Sequence, residues 1–300
     1  MKINSIYLFK NLFFNPFETI NEIKEDLNKD SLSKKYVGIN KKLWICGLPK
    51  SGTTLIEQIL DFLPYVRIDR SVFRSFPDKG KITFENFEKY LKFFPENKFS
   101  YVKTHLEHNS NFLDNLKKNN FNVIVSLRDI RDTMISRYYH ILNEPSHWQH
   151  EVVKNKEFEK GFIDSLTRKT DKYPKNLKFR EPLSDYYFWI KNWISVKDNN
   201  IIKVWFENYK KNPEDYINKI LKYTRIDFNS KDILEGIKKK NEIDKKISLD
   251  KKLKRKNKNI STFRVGKSEQ WKKLFNKKIE TEFYKILPGE INNIISKNNF

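Results

Sequence analysis

Two glycines, one lysine and three hydroxyl side chains stand within residues 47–54, which read GLPKSGTT. Glycines let a backbone turn its N–H groups toward an anion. A helix starting directly after the loop adds unpaired donors and a partial positive charge. Ser51, Thr53 and Thr54 supply further donors, and Lys50 supplies a full charge. This is the chemistry of a phosphate cradle.

The spacing is close to the ATP-binding pattern G-x4-G-K-[ST], but Thr53 occupies the position of its lysine. Lys50, the only lysine of the loop, sits three residues earlier. A site that hydrolyses ATP would lose its β/γ-phosphate contact. The loop therefore reads as a phosphate binder that is not an ordinary nucleoside triphosphatase. Two rivals are a kinase using Mg-ATP and a nucleic-acid-binding protein. Neither a clear acidic metal ligand at a strand end nor a recognition motif beyond charge supports them.

Three other places carry candidate chemistry. His105, in Lys103-Thr104-His105-Leu106, follows an apolar run, and an imidazole there suits proton abstraction from a hydroxyl or amine. His108 is the alternative base. Arg128 follows FNVIVSL, and its planar fork suits a terminal phosphate that Ser136 can help to hold. Arg131 and Asp132 read instead as an ion network fixing a helix start. Arg264-Val265-Gly266 lies before Trp271-Lys272.

The elements that must position these groups alternate. Residues 42–46 read as a buried strand, and 53–63 as a helix with apolar residues at helical spacing, closed by Pro64. Strands are expected at 99–103, 121–127 and 201–206. Helices are expected at 129–142, 185–196 and 213–223, the last opened by proline. A short amphipathic helix fits 17–27. Residues 147–182 and the Lys-dense 238–259 read as long loops or lids. Such alternation predicts an α/β fold, with a central mostly parallel sheet flanked by helices on both faces. We expect a lead-in over 1–40 and a single domain over 41–300.

These segments together resemble the cytosolic-type sulfotransferases, which use 3′-phosphoadenosine-5′-phosphosulfate (PAPS). Residues 49–54 match that family's 5′-phosphosulfate loop, with Leu55 in place of its usual Trp. Lys-Thr-His-Leu matches the segment that carries its catalytic base. Arg128 and Ser136 match its 3′-phosphate pair, and Arg264-Val265-Gly266 the segment gripping that phosphate from the other side. The resemblance runs from about 40 to about 285. It implies a three-layer, P-loop NTPase-like fold and sulfuryl transfer from PAPS as co-substrate, with no metal. Lys50, Lys103 and His105 would be catalytic. Lys50, Ser51, Gly52, Thr53, Thr54, Arg128, Ser136, Arg264, Val265 and Gly266 would bind the nucleotide. Glu207, in a weaker match over 205–210, reads as a structural tie.

Composition bounds the rest. With 300 residues and 15% aromatic content the chain can bury a sizeable core. The formal net charge of +22 favours anionic partners, or a solvated lysine surface. The single cysteine, Cys46, lies in an apolar strand and reads as a buried thiol, which fits a reducing, cytoplasmic setting. No secretory signal or run of about 18 apolar residues is seen. His140, His147 and His150 lack partners at metal-ligand spacing. The acceptor is expected to be a small molecule, lipid or sugar rather than a nucleic acid.

Overall fold

The structure is a computed structural model. It describes residues 38–68, 82–92, 94–96, 98–167, 182–254 and 268–287, together with 24, 28, 29, 31, 32 and 34–36. Arg264, Val265, Gly266 and nearly all of 17–27 lie outside the described residues.

Five parallel strands form the sheet: β1 (Lys42–Gly47), β2 (Val66–Arg67), β3 (Ser100–Thr104), β4 (Phe121–Leu127) and β5 (Ile201–Trp205), in the order β2-β3-β1-β4-β5. From β1 the chain goes to the edge strand β2, returns to β3 beside β1, and then crosses to β4 and β5 on the other side. Such a reversal leaves a crevice outside the carboxyl ends of the central strands.

Side-chain alternation builds one core on each face. Trp44 and Cys46 of β1 point into one cluster, Leu43 and Ile45 into the other. The Leu43 face is covered by α1 (Thr53–Leu60), α9 (Pro213–Thr224) and the start of α10 (Ser230–Lys254). The Trp44 face is covered by α2 (Phe87–Leu91), α3 (Ser110–Lys118), α4 (Ile130–Asn143), α6 (Phe158–Ser165), α7 (Pro182–Ser195) and α12 (Lys277–Ile286). The remaining short helices are α5 (His150–Val153), α8 (Phe206–Lys211) and α11 (Trp271–Leu274). This is the expected three-layer α/β arrangement.

Two expected loops contain helix among the described residues, and 168–181 and 255–259 lie outside them. Within 147–182 the structure has α5 and α6, and α6 is held by buried Phe162, with Gly161 against Tyr138. Residues 238–254 continue α10, because lysine is a good helix former and no proline interrupts them. Phe206, expected to end a strand, instead opens α8. The lead-in also contributes: buried Lys29 donates to the carbonyls of Leu60 (3.2 Å), Asp61 (2.5 Å) and Leu63 (2.5 Å) at the end of α1.

Candidate active site

Each candidate group follows the carboxyl end of a strand. The loop follows β1, His105 follows β3, Arg128 follows β4 and Phe206 follows β5. The parallel register pairs Cys46 with Thr104, Gly47 with Ser126 and Leu127 with Trp205, so these ends lie side by side.

The loop is tightly wound. A Cβ on Gly47 would stand 2.3 Å from Thr53 Cγ2 and 2.9 Å from Ser51 Oγ. Lys50 (φ 75°) and Gly52 (φ 103°) both take the left-handed region, which is costly for a lysine. Two bonds hold this shape: Ser126 Oγ donates to the Ser51 carbonyl and Arg128 Nη1 to the Lys50 carbonyl, each at 3.0 Å. Ser51 and Thr53 are buried, and Ser51 Oγ has no hydrogen-bond partner among the described residues. The first turn of α1 carries no acidic side chain, and Gly52 offers no side-chain cap. Burial, aided by the Arg128 charge, lowers the pKa of Lys50. This combination of a shaped turn, an orphan hydroxyl and uncapped N–H groups fits a phosphate.

His105 is joined to that loop. Its Nδ1 lies against the Gly47 carbonyl, an acceptor, so Nδ1 carries the proton and Nε2 is left with its lone pair. His105 is exposed as a residue, while its Nδ1 is taken up by the Gly47 carbonyl. Desolvation lowers its pKa; the Gly47 bond opposes this, Lys103 adds to it and Glu57 opposes it. Helix α7 fixes the main chain here: Trp189 Nε1 donates to His105 O (3.1 Å) and Leu106 O (3.0 Å), and Trp193 Nε1 to Leu106 O (3.2 Å). His108 stands edge-on to Trp193, with centroids 5.7 Å apart. Lys103 donates to Glu57 on α1 at 2.6 Å, and Arg67 holds the other Glu57 oxygen at 2.5 Å.

Arg128 is buried, its guanidinium 4.8 Å from the centroid of Phe206. Phe206 packs on the loop, since a Cβ on Gly52 would lie 2.9 Å from its Cδ2. Thr54 is exposed, whereas Leu55 is buried in the core. Ser136 is half-buried on α4, off the face that carries Ile130, Met134 and Ile135 into the core. One turn further on, His140 has its pKa lowered by burial and then by the Lys50 charge. Asp129 caps α4 and pairs with Arg131 at 2.5 Å, as expected of a helix-start network. Asp132 reaches further, accepting from the N–H groups of Glu269 (2.5 Å) and Trp271 (3.1 Å). Glu207 Oε1 accepts from Asp129 N at 3.0 Å and so ties the turn after β4 in place. Cys46 is buried and its thiol is pushed up to about 12, which rules out a thiolate nucleophile at neutral pH. No group of three or more potential metal ligands occurs among the described residues.

A family model described as "Sulfotransferase domain" matches residues 40–292. The chain belongs to the sulfotransferase family. No curated protein matches it. Among solved structures, this sulfotransferase is similar to mouse sulfotransferase SULT7A1 complexed with PAP. The TM-score is 0.56 and the identity 18%, over 91% of this chain and 94% of that one. It is also similar to retinol dehydratase in complex with androsterone and inactive cofactor PAP. There the TM-score is 0.50 and the identity 17%, over 92% and 87% of the two chains. Among the described residues, no helix of this sulfotransferase is long and apolar enough to cross a membrane.

The sequence thus led to the loop, His105 and Arg128, which the fold brings together. It gave Phe206, within the weaker match over 205–210, no role of its own, read Trp189 among mainly core aromatics, and did not point to the Glu57 ion pairs. Trp189 had a signal in the aromatic spacing of α7, but only the fold shows which carbonyls its indole meets.

Proposed function

We propose that this sulfotransferase moves a sulfuryl group from PAPS to the hydroxyl or amine of a small-molecule acceptor by in-line displacement. The observation that carries the proposal is the bond between His105 Nδ1 and the Gly47 carbonyl, which joins a candidate base to a phosphate loop. Bound PAPS would supply the activated sulfuryl group; the chain supplies the rest. His105 Nε2 takes the acceptor proton, and the Gly47 carbonyl stabilises the imidazolium that results. Lys50 stabilises negative charge on the leaving phosphate. Loop N–H groups with Ser51, Thr53 and Thr54 hold the 5′-phosphate. Arg128 and Ser136 hold the 3′-phosphate, with Arg264, Val265 and Gly266 assigned on the sequence match alone. Lys103 can reach the sulfuryl group only by sharing its ammonium with Glu57.

A single buried cysteine supports a cytoplasmic setting. The test is a screen of alcohols, sterols, sugars and amines with labelled PAPS, alongside thermal shift with adenosine 3′,5′-bisphosphate and Mg-ATP. Stabilisation by the bisphosphate together with label transfer is expected. Stabilisation by Mg-ATP alone would overturn the proposal in favour of a kinase.

A further inference from the structure

Glu57 takes no part in the transfer step just described, yet it holds Lys103. It lies on α1, four residues after Thr53, and so stands one turn into the helix that opens from the phosphate loop. It is buried. Its Oε2 accepts from Lys103 Nζ on β3 at 2.6 Å, and its Oε1 from Arg67 Nη1 on β2 at 2.5 Å. Lys103 is two residues before His105, and both charges of the Lys103–Glu57 pair act on the His105 ring. The pair therefore borders the candidate base as well as the loop.

A carboxylate is out of keeping with this place. A negative charge one turn from a phosphate cradle repels the ligand. Arg67 and Lys103 offset it, and the part of the Lys103 charge spent there is not offered to a ligand. What Glu57 supplies in return is restraint of an ammonium on a flexible four-carbon stem. A free Lys103 would bind the anionic sulfuryl group of PAPS before any transfer. Contacts made equally in the ground state and the transition state do not raise kcat.

We propose that Glu57 is a positioning residue for the transfer: it holds the Lys103 ammonium in place with its charge balanced, so that Lys103 does not grip the resting co-substrate. This rests on the PAPS reading above, with Lys103 as the sulfuryl contact. A purely structural Glu57 would only tie α1 to β2 and β3.

Calorimetric titration with PAPS and with adenosine 3′,5′-bisphosphate, which lacks the sulfuryl group, separates these readings without an acceptor. The quantity read is the ratio of the two affinities, because loss of a negative charge strengthens binding of both nucleotides. In Glu57→Gln the ratio should move about tenfold toward PAPS, as for one new charge-assisted contact. In the double variant Glu57→Gln/Lys103→Met that change should vanish. Where Glu57→Gln does not fold, Glu57→Asp draws the carboxylate back by one methylene and should move the ratio the same way, by less. A wild-type ratio in the single variant, whatever its unfolding midpoint, would overturn this inference and leave the PAPS reading standing. A change that persists in the double variant would also overturn it, since it would not run through Lys103. A wild type that binds neither nucleotide would overturn both readings.

Discussion

The Nδ1 proton of His105 is directed at the main-chain carbonyl of Gly47, the first residue of the phosphate loop. One bond therefore fixes the tautomer of the base and its position relative to the bound anion. Desolvation moves its pKa below the usual imidazole value, which favours the neutral form that a base requires.

The first prediction concerns pH. A general base works in its neutral form, and burial moves His105 below the usual value of about 6.5. The acid limb of the kcat profile should therefore lie below about pH 6.5. His105→Ala should abolish that limb and lower turnover about 10²–10⁴-fold while sparing nucleotide affinity. Unchanged turnover would move the role to His108 or another group.

Lys50→Ala should cost about 10²–10³-fold in kcat, the size expected for one preorganised charge-stabilising donor. Single-turnover transfer from labelled PAPS measures it. Wild-type turnover would remove Lys50 from the chemistry.

Arg128→Ala should weaken binding of adenosine 3′,5′-bisphosphate far more than of adenosine 5′-phosphate. The Lys50 carbonyl also loses its 3.0 Å donor, so some loss for the monophosphate is expected too. Equal losses for the two nucleotides would contradict the 3′-phosphate assignment.

Gly47→Ala tests the shape of the loop. The new methyl would stand 2.3 Å from Thr53 Cγ2, and the loop must open to admit it. A loss of about 1–3 kcal/mol in stability, typical of overpacking, should accompany loss of nucleotide binding. Retention of both would mean that the turn is looser than it stands here.

Glu207 links stability to pH. Burial pushes its carboxyl up to about 7, so folding favours the neutral acid. The stability it contributes is fully present below the unfolded value of about 4.3 and is lost as pH rises through the folded one. Glu207→Gln keeps an acceptor for Asp129 N–H without the charge. The stability difference between variant and wild type should shift in favour of the variant between about pH 4 and about pH 8 in urea unfolding. A difference independent of pH would refute this account.

How much of this was legible in the sequence depended on the distance over which each interaction acts. Strands β1, β3, β4 and β5 were readable because each is a short apolar run bounded by polar residues. Strand β2 has two residues, Val66–Arg67, too few to show a period. The lysines of α10 hid a helix that packs on residues far away in the sequence: Gly236 admits the Phe62 ring, which would lie 2.2 Å from an added Cβ. In the site, the loop, His105 and Arg128 were legible because each directly follows a strand. The Trp189 bond to His105 O and the Lys103–Glu57–Arg67 ion pairs join residues far apart in sequence, and no local pattern encodes them.

Lys29 bears on how the protein can be shortened. Its ammonium terminates α1, the helix whose other end forms the phosphate loop, by gathering three carbonyls from the last turn and the residues beyond. Tyr36 adds a bond to Asp227 O at 2.8 Å. The family match begins at residue 40, after both. A chain cut at that boundary would keep every proposed catalytic side chain yet lose the plug at the far end of the helix that presents them, so truncations for expression should begin before Lys29.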